Sequence, residues 1–258
     1  MKVCILGKDK RNLYLKELYK NNIDNIINAD IIITPVPISK DGETITDEII
    51  TIDNLVEFAK AKKKIIITGG LNDNIREKLD GIKYYDIMSF DEIATYNAIQ
   101  TVEGAIKVAI ENTDFTLNDS NICILGFGRI GKILARYLSS FGANIFCEAR
   151  KENDIALIKA MGYNCIRLED LDKYLSKMQI IFNTIPYKIL DEKRLKLTKD
   201  DTVIIDLASR PGGVDFDASK KMNKKVLWEL GIPAKVAPKS SAMYFKEAID
   251  KIIIENER

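Results

Sequence analysis

The amino-acid sequence predicts an α/β fold in two domains, each organised around a parallel sheet. Short β-branched runs alternate with stretches of helical periodicity, a pattern typical of parallel strands joined by helices. The length of 258 residues exceeds one ordinary α/β domain and suits two, each large enough to bury a core. A glycine-rich segment near the middle opens the second series of elements. We therefore expect a smaller N-terminal α/β domain and a larger C-terminal one.

The N-terminal domain is expected to span residues 1–100 and to lie on the substrate side. Its predicted strands are Val3 to Leu6, Ile31 to Thr34, Ile65 to Thr68 and Tyr84 to Ile87, and its predicted helices are Asn12 to Lys20 and Thr51 to Ala61. Ser89 or Asp91 is a predicted helix cap.

A helix from Thr101 to Ile110 is predicted to connect the domains. The segment Gln100-Thr101-Val102-Glu103 resembles a capping box, a short pattern of polar side chains that satisfies the first backbone N–H groups of a helix. Residues 101–116 are therefore expected to form a connecting helix and linker.

The C-terminal domain is expected to span residues 117–238. Its predicted strands are Ile122 to Leu125, Asn144 to Glu148, Asn164 to Arg167, Gln179 to Asn183, Thr202 to Asp206 and a short strand near Val226, and its predicted helices are Arg129 to Ser140 and Asp154 to Met161. A final helix, Ala242 to Ile254 within residues 239–258, is expected to fold back on the N-terminal domain.

The junction after the first of these strands carries the pattern GxGxxG, which predicts a Rossmann dinucleotide-binding domain. Gly126 permits a tight turn, Gly128 lets the backbone approach a pyrophosphate, and Gly131 lets the helix pack on the strand. Arg129 and Ile130 open the helix whose N-terminus faces the phosphates. A purely structural turn is the alternative.

The end of the next strand distinguishes NADP from NAD. An acid there would bond the ribose 2′-hydroxyl, whereas a cation would pair with a 2′-phosphate. The usual spacing from Gly131 places Ala149 at the acidic position, with Arg150 and Lys151 directly after it, which favours NADP. A register shift of one residue would make Glu148 the ribose ligand and NAD the cofactor. Arg150 as an ordinary solvated residue also remains open.

Two later segments follow strands and are expected to hold the nicotinamide end of the cofactor, because ligands bind at the carboxyl ends of such strands. The cofactor-binding candidates here are Asn183, Thr184, Ile185, Pro186, Leu207, Ala208 and Ser209. The alternative is that both segments are simple loop turns.

Composition excludes several classes of function. The chain has no histidine, so it cannot build a His-based metal site, a Ser-His-Asp triad or the His-carboxylate relay of 2-hydroxyacid dehydrogenases, and we expect no metal. With 39 basic and 38 acidic residues it has no net field to attract nucleic acid. No apolar run approaches the roughly 18 residues that span a bilayer. Four dispersed cysteines indicate buried, reduced thiols and a cytoplasmic protein.

Several segments, taken together and in this order, resemble the A-subunit family of dipicolinate synthase over most of the chain. They are Gly7 to Arg11, Thr34 to Pro37, Asn97 to Ile106, Leu125 to Gly131, Asn183 to Pro186, Ile205 to Gly213 and Pro233 to Ser240. Similar single motifs occur in alanine and shikimate dehydrogenase relatives. The chain departs from the family pattern at Gln100, where proline is expected, at Ala234, where glycine is expected, and at Ser240-Ser241, where Thr-Ala is expected.

The resemblance implies an NADP-linked oxidation of a dihydrodipicolinate-type cyclic imine from the lysine pathway to pyridine-2,6-dicarboxylate during sporulation. It also implies that the partner is a flavoprotein-like B subunit. One alternative is an enzyme of the alanine or shikimate dehydrogenase type acting on another small acid, and another is a non-catalytic NADP-binding regulatory protein. An enzyme that uses S-adenosylmethionine to transfer methyl groups fits Arg150 poorly. Homo-oligomers are common for this fold, although no segment marks an interface.

Without histidine, the base in this chemistry must be Lys, Asp, Glu, Tyr or water. The candidate catalytic residues are Glu103, Asp206 and Lys239. The candidate residues for a small dicarboxylate substrate are Thr34, Pro35, Thr68, Gly69, Thr101, Lys235 and Arg210, with Arg11 as a further anion-binding candidate. Because aromatisation is strongly favourable, we expect positioning to contribute more to the rate than acid–base catalysis.

Overall fold

The computed structural model describes residues 1–257, which form two compact units. The first unit comprises Met1–Asn97 and the chain from Pro233 onward, and the second comprises Ala98–Ile232. The strands are β1 (Val3–Ile5), β2 (Ile31–Ile33), β3 (Ile65–Thr68), β4 (Tyr84–Asp86), β5 (Asn121–Leu125), β6 (Asn144–Glu148), β7 (Asn164–Ile166), β8 (Ile180–Asn183), β9 (Val203–Asp206) and β10 (Val226–Trp228). The α-helices are α1 (Lys10–Leu18), α2 (Ile52–Lys62), α3 (Asp73–Lys78), α4 (Asp91–Glu111), α5 (Arg129–Ser140), α6 (Glu152–Ala160), α7 (Glu192–Leu197), α8 (Phe216–Lys221), α9 (Ile232–Val236) and α10 (Pro238–Glu257).

The first unit has a four-stranded parallel sheet in the order β1-β2-β3-β4. Its inner strands consist of isoleucine on both faces, Ile31–Ile33 and Ile65–Ile67, as expected of a parallel sheet covered on both sides. The C-terminal helix α10 belongs to this unit and packs against α1. Ala242, Phe245, Ala248, Ile249 and Ile252 of α10 are buried in the same cluster as β1, β2 and β3.

The second unit has a six-stranded parallel sheet in the order β10-β9-β8-β5-β6-β7. The chain runs outward from β5 through β6 to β7 and then returns to place β8 on the other side of β5. This reversal creates a topological switch point between β5 and β8, where ligands of open parallel sheets bind. The prediction of an α/β fold with parallel sheets and a Rossmann-type second domain is confirmed.

The helix predicted to begin at Thr101 begins ten residues earlier, at Asp91, so that prediction was wrong. Buried apolar residues continue upstream of the apparent capping box through Ala98 to Ile93, and the helix continues with them. Thr101 is consequently a buried residue in the middle of α4, and Glu103 lies on its exposed side. Within residues 1–257 no helix is both long and apolar enough to cross a membrane.

Candidate functional site

Four strand ends of the second unit lie in one row. In the parallel registers, Leu125 of β5 pairs with Glu148 of β6 and with Asn183 of β8, and Asn183 pairs with Asp206 of β9. The predicted cofactor segments follow these positions directly. The sheet therefore brings three loops to the same edge: the glycine loop (residues 126–131), the Asn183 loop (residues 183–186) and the Asp206 loop (residues 206–213). This edge contains the switch point and is the candidate cofactor site.

The glycine loop has the close approaches that its pattern predicts. Gly126 has φ of +89°, and a Cβ atom on Gly131 would lie 2.1 Å from the carbonyl oxygen of Gly126. Gly128 caps α5 without any side-chain hydrogen bond, and a Cβ there would meet no atom within 4 Å. The first N–H groups of α5 are therefore not taken by a capping side chain, which leaves them able to bind a phosphate.

The Asn183 loop is attached to the glycine loop. The Thr184 hydroxyl donates to the carbonyl oxygen of Leu125 at 2.9 Å, and the Thr184 N–H donates to the same oxygen at 3.0 Å. Ile185 packs beside Gly126, where an added Cβ would lie 2.8 Å from its side chain. Pro186 follows on the exposed surface. Thr184 thus holds the two loops in a fixed relation at the switch point.

Asp206 organises the next loop and is fully buried. Its Oδ1 accepts from Asn183 Nδ2 at 2.8 Å and from the Ala208 N–H at 3.0 Å, while Oδ2 accepts from the Gly213 N–H at 2.7 Å. Asn183 Oδ1 in turn accepts the Ile185 N–H. Since both oxygens of Asp206 are engaged in this network, the geometry favours positioning over proton abstraction.

The end of the Asp206 loop is held from β10. The indole Nε1 of Trp228 donates to the carbonyl oxygen of Ala208 at 3.0 Å, and the Arg210 guanidinium lies 5.9 Å from the centre of the Trp228 ring. Leu207 and Ala208 are buried, whereas Ser209 and Arg210 are exposed. Sequence reasoning missed Trp228, although it is the only tryptophan and lies beside the short strand predicted near Val226.

Beyond the glycine loop, two adjoining cavities of about 320 and 390 Å³ share Glu148, Arg150 and Ile185 in their walls. Arg150 is exposed and makes no hydrogen bond or ion pair with any other residue between 1 and 257. Lys151 beside it is also exposed. Tyr187 and Lys188 line the larger cavity and were missed, although they directly follow the Asn183-to-Pro186 segment.

Glu148 points inward instead of toward solvent. It is 1% exposed, it accepts a hydrogen bond from the Gly126 N–H, and its Oε1 has no partner among the described residues. Burial raises the pKa of this carboxyl above its ordinary value, opposed by the Gly126 hydrogen bond and by Arg150. Glu148 therefore helps to hold the glycine loop in place through its hydrogen bond with the Gly126 N–H.

The predicted substrate residues lie partly in the first unit. At the carboxyl ends of β2 and β3, the buried hydroxyls of Thr34 and Thr68 are joined at 2.8 Å. Pro35 packs against Gly7, and Gly69 packs against Met88. Lys235 and Lys239 are exposed near the start of α10, and Glu103 is exposed on α4.

The comparisons with known proteins agree with this geometry. Residues 92–223 match the model of the D-isomer specific 2-hydroxyacid dehydrogenase family, NAD binding domain. The A-subunit of dipicolinate synthase from Bacillus subtilis (strain 168) is 32% identical over 262 residues, covering 98% of this chain and 88% of that protein. The crystal structure of the A-subunit of dipicolinate synthase from Bacillus halodurans superposes with a TM-score of 0.89 at 26% identity over 97% of both chains. The corresponding crystal structure from Bacillus subtilis gives 0.86 at 30% identity, covering 99% of this chain and 96% of that one.

Proposed function

Because the chain belongs to the A-subunit family of dipicolinate synthase and is an NAD(P)-dependent oxidoreductase, we propose that it oxidises a dihydrodipicolinate-type cyclic imine to pyridine-2,6-dicarboxylate, with NADP as hydride acceptor. The observation that carries this proposal is that the similarity extends through both units and is not confined to the dinucleotide-binding domain. The reaction transfers one hydride to the cofactor and releases one proton.

The cofactor assignment rests on the end of β6. By the usual spacing from Gly131, Ala149 falls where NAD-binding domains have an acid, and the exposed Arg150 and Lys151 follow it, which supports NADP. Glu148 is buried and accepts the Gly126 N–H, so this carboxyl is engaged by the glycine loop and not by a ribose hydroxyl. Arg150 can pair with that phosphate bidentately.

The remaining loops at this edge of the sheet act by positioning the cofactor. We assign the pyrophosphate to Gly126, Gly128, Arg129, Ile130 and Gly131, and the nicotinamide end to the loops held by Asn183 and Asp206. The full engagement of Asp206 and the absence of histidine from the sequence support a mechanism in which the proton leaves to water or to an exposed side chain.

We further propose that the chain works in the cytoplasm of a sporulating cell with a B subunit. The name of the Bacillus subtilis relative designates one subunit of a synthase, which supports a partner chain. The cysteines of the described chain are free, as expected in a reducing compartment.

Parallel calorimetric titrations with NADP and NAD test the cofactor assignment, using wild type, Arg150→Ala and the matched control Arg136→Ala, an exposed arginine of α5. We expect NADP to bind more tightly than NAD, and we expect that preference to fall at least about tenfold in Arg150→Ala only. Equal preference in wild type and Arg150→Ala would contradict the assignment.

The reaction is tested by following NADPH formation from dihydrodipicolinate, with and without B subunit. Turnover that needs NADP supports the proposal. Intact nucleotide binding without turnover under either condition would instead favour a regulatory protein, and turnover of other small acids alone would favour an alanine or shikimate dehydrogenase type.

A further inference from the structure

Arg11 is a buried cation with few partners. It lies in the first turn of α1, and its side chain is 4% exposed. Nη2 donates to the carbonyl oxygen of Val36 at 3.1 Å, which uses one of the five N–H donors of the guanidinium. Nε is buried without an acceptor, and no carboxylate within residues 1–257 forms a salt bridge with Arg11. Most of its hydrogen-bonding capacity is therefore unused.

A buried guanidinium without a charged partner lowers the stability of the ligand-free protein. A guanidinium stays charged in proteins, and buried charges are normally paired. Asp9 is close enough for its charge to act on Arg11, but its Oδ1 already accepts the backbone N–H groups of Arg11 and Asn12. Burial lowers the pKa of Arg11, and Asp9 offsets this only in part. The missing partner is a negative charge.

The contacts of Arg11 place it at the ligand-binding edge of its sheet. Arg11 follows β1 by six residues and reaches Val36, three residues past the end of β2. Open parallel sheets bind their ligands outside these carboxyl ends. The linked hydroxyls of Thr34 and Thr68 end the neighbouring strands β2 and β3.

The side chain is also held in place before any ligand arrives. The guanidinium carbon lies 4.5 Å from the centre of the Phe245 ring of α10, and Val36 fixes one nitrogen. Stacking leaves the N–H groups in the plane of the guanidinium unused, and of the Nε and Nη2 donors only one N–H, that to Val36, has an acceptor. A preorganised guanidinium binds a carboxylate with little further loss of side-chain entropy.

We propose that Arg11 is the substrate anchor of the first unit, where its guanidinium binds a carboxylate group of a small organic acid. The identity of that acid, a pyridine- or dihydropyridine-dicarboxylate, rests on the proposed function, whereas the anchoring role of Arg11 does not.

The test measures binding to the full chain, without turnover. Calorimetry with pyridine-2,6-dicarboxylate, and with a panel of glyoxylate, lactate, alanine and shikimate, is run in saturating NADP on wild type, Arg11→Met, Arg11→Lys and the matched control Lys10→Met. Lys10 is the exposed neighbour of Arg11 on α1. We expect the dicarboxylate to bind at least about tenfold more weakly to Arg11→Met, less weakly to Arg11→Lys, and unchanged to Lys10→Met.

Thermal melting of the ligand-free variants separates binding from a structural role. An anchor that is unpaired in the free protein predicts a melting temperature for Arg11→Met equal to or above that of wild type, because an apolar chain replaces an unpaired buried charge. A lower melting temperature with unchanged dicarboxylate binding would overturn the proposal. If Arg11→Met does not fold, unchanged binding to Arg11→Lys overturns it.

The panel keeps the two proposals distinguishable. Binding of another acid of the panel that depends on Arg11, without binding of the dicarboxylate, supports the anchor and contradicts the proposed substrate. Dicarboxylate binding that is independent of Arg11 supports the substrate and contradicts the anchor. If no acid binds in a manner that depends on Arg11, the anchor is refuted.

Discussion

The same added methyl group should have different effects at the two glycines at the start of α5. It should lower stability at Gly131 and weaken NADP binding at Gly128. In Gly131→Ala the new Cβ would lie 2.1 Å from the carbonyl oxygen of Gly126 and 3.1 Å from its carbon, and a Cβ contact below 3.0 Å is essentially never seen. The obstacle is backbone, so α5 or the loop must move by about 1 Å. In Gly128→Ala the new Cβ meets nothing within 4 Å, and φ of −80° is open to alanine.

The magnitudes follow from these contacts. Overpacking of this kind costs about 1–3 kcal/mol, which corresponds to a fall in melting temperature of roughly 2–12 °C for Gly131→Ala. Gly128→Ala should stay within about 0.5 kcal/mol of wild type, because a slightly poorer cap is offset by a less flexible unfolded chain. Its methyl group instead occupies the space that a pyrophosphate needs, so NADP should bind at least about tenfold more weakly.

Calorimetric melting and NADP titration of both variants provide the assay. The reasoning is refuted if Gly128→Ala melts as low as Gly131→Ala, or if it binds NADP within about twofold of wild type.

Three further outcomes are expected. Glu148→Gln should melt like wild type below pH 4.5, the ordinary pKa of the carboxyl, and above wild type at neutral pH. The stability that comes from the raised pKa is complete below that value and is lost as the pH rises. A difference independent of pH would contradict this. Asp206→Asn should lower the free energy of unfolding in urea by about 1–3 kcal/mol, since one acceptor oxygen becomes an amide facing donors, and a loss below about 0.5 kcal/mol would argue against the network. Glu103→Gln should keep turnover within about twofold in the NADPH assay because Glu103 is exposed in mid-helix; abolished turnover with intact substrate and NADP binding would show that positioning does not dominate.

The regular elements were predictable where their sequences carry strong periodic signals. β3, α5 and β6 have the predicted bounds, because in each case an apolar run or an amphipathic stripe lies beside a glycine: Gly69 after β3, Gly128 before α5 and Gly142 before β6. The six-residue helices α3, α7 and α8 bury only one or two side chains each, too few to form a helical pattern. They were not predicted.

The site was predictable in its backbone and not in its side-chain network. Strand ends identified Asn183 and Asp206, but their hydrogen bond depends on the register of β8 against β9, which no local pattern encodes. Similarly, the sequence left open whether Glu148 faces the ribose or the backbone of the glycine loop. Pleat phase decides this, since successive side chains of a strand point to opposite faces. Arg11 was identifiable as a cation, whereas its lack of partners follows only from the packing of α10 on α1.

The division of the first unit into two stretches of chain has a consequence for synthesis. Residues 98–232 are continuous, so every strand of the second sheet has been made before α10 is translated. The first sheet is made before the second, yet it lacks Phe245, Ile249 and Ile252 of its core until α10 emerges. We therefore expect the nascent chain to carry an incompletely covered isoleucine sheet while the second unit folds, so that the first unit becomes stable after the second.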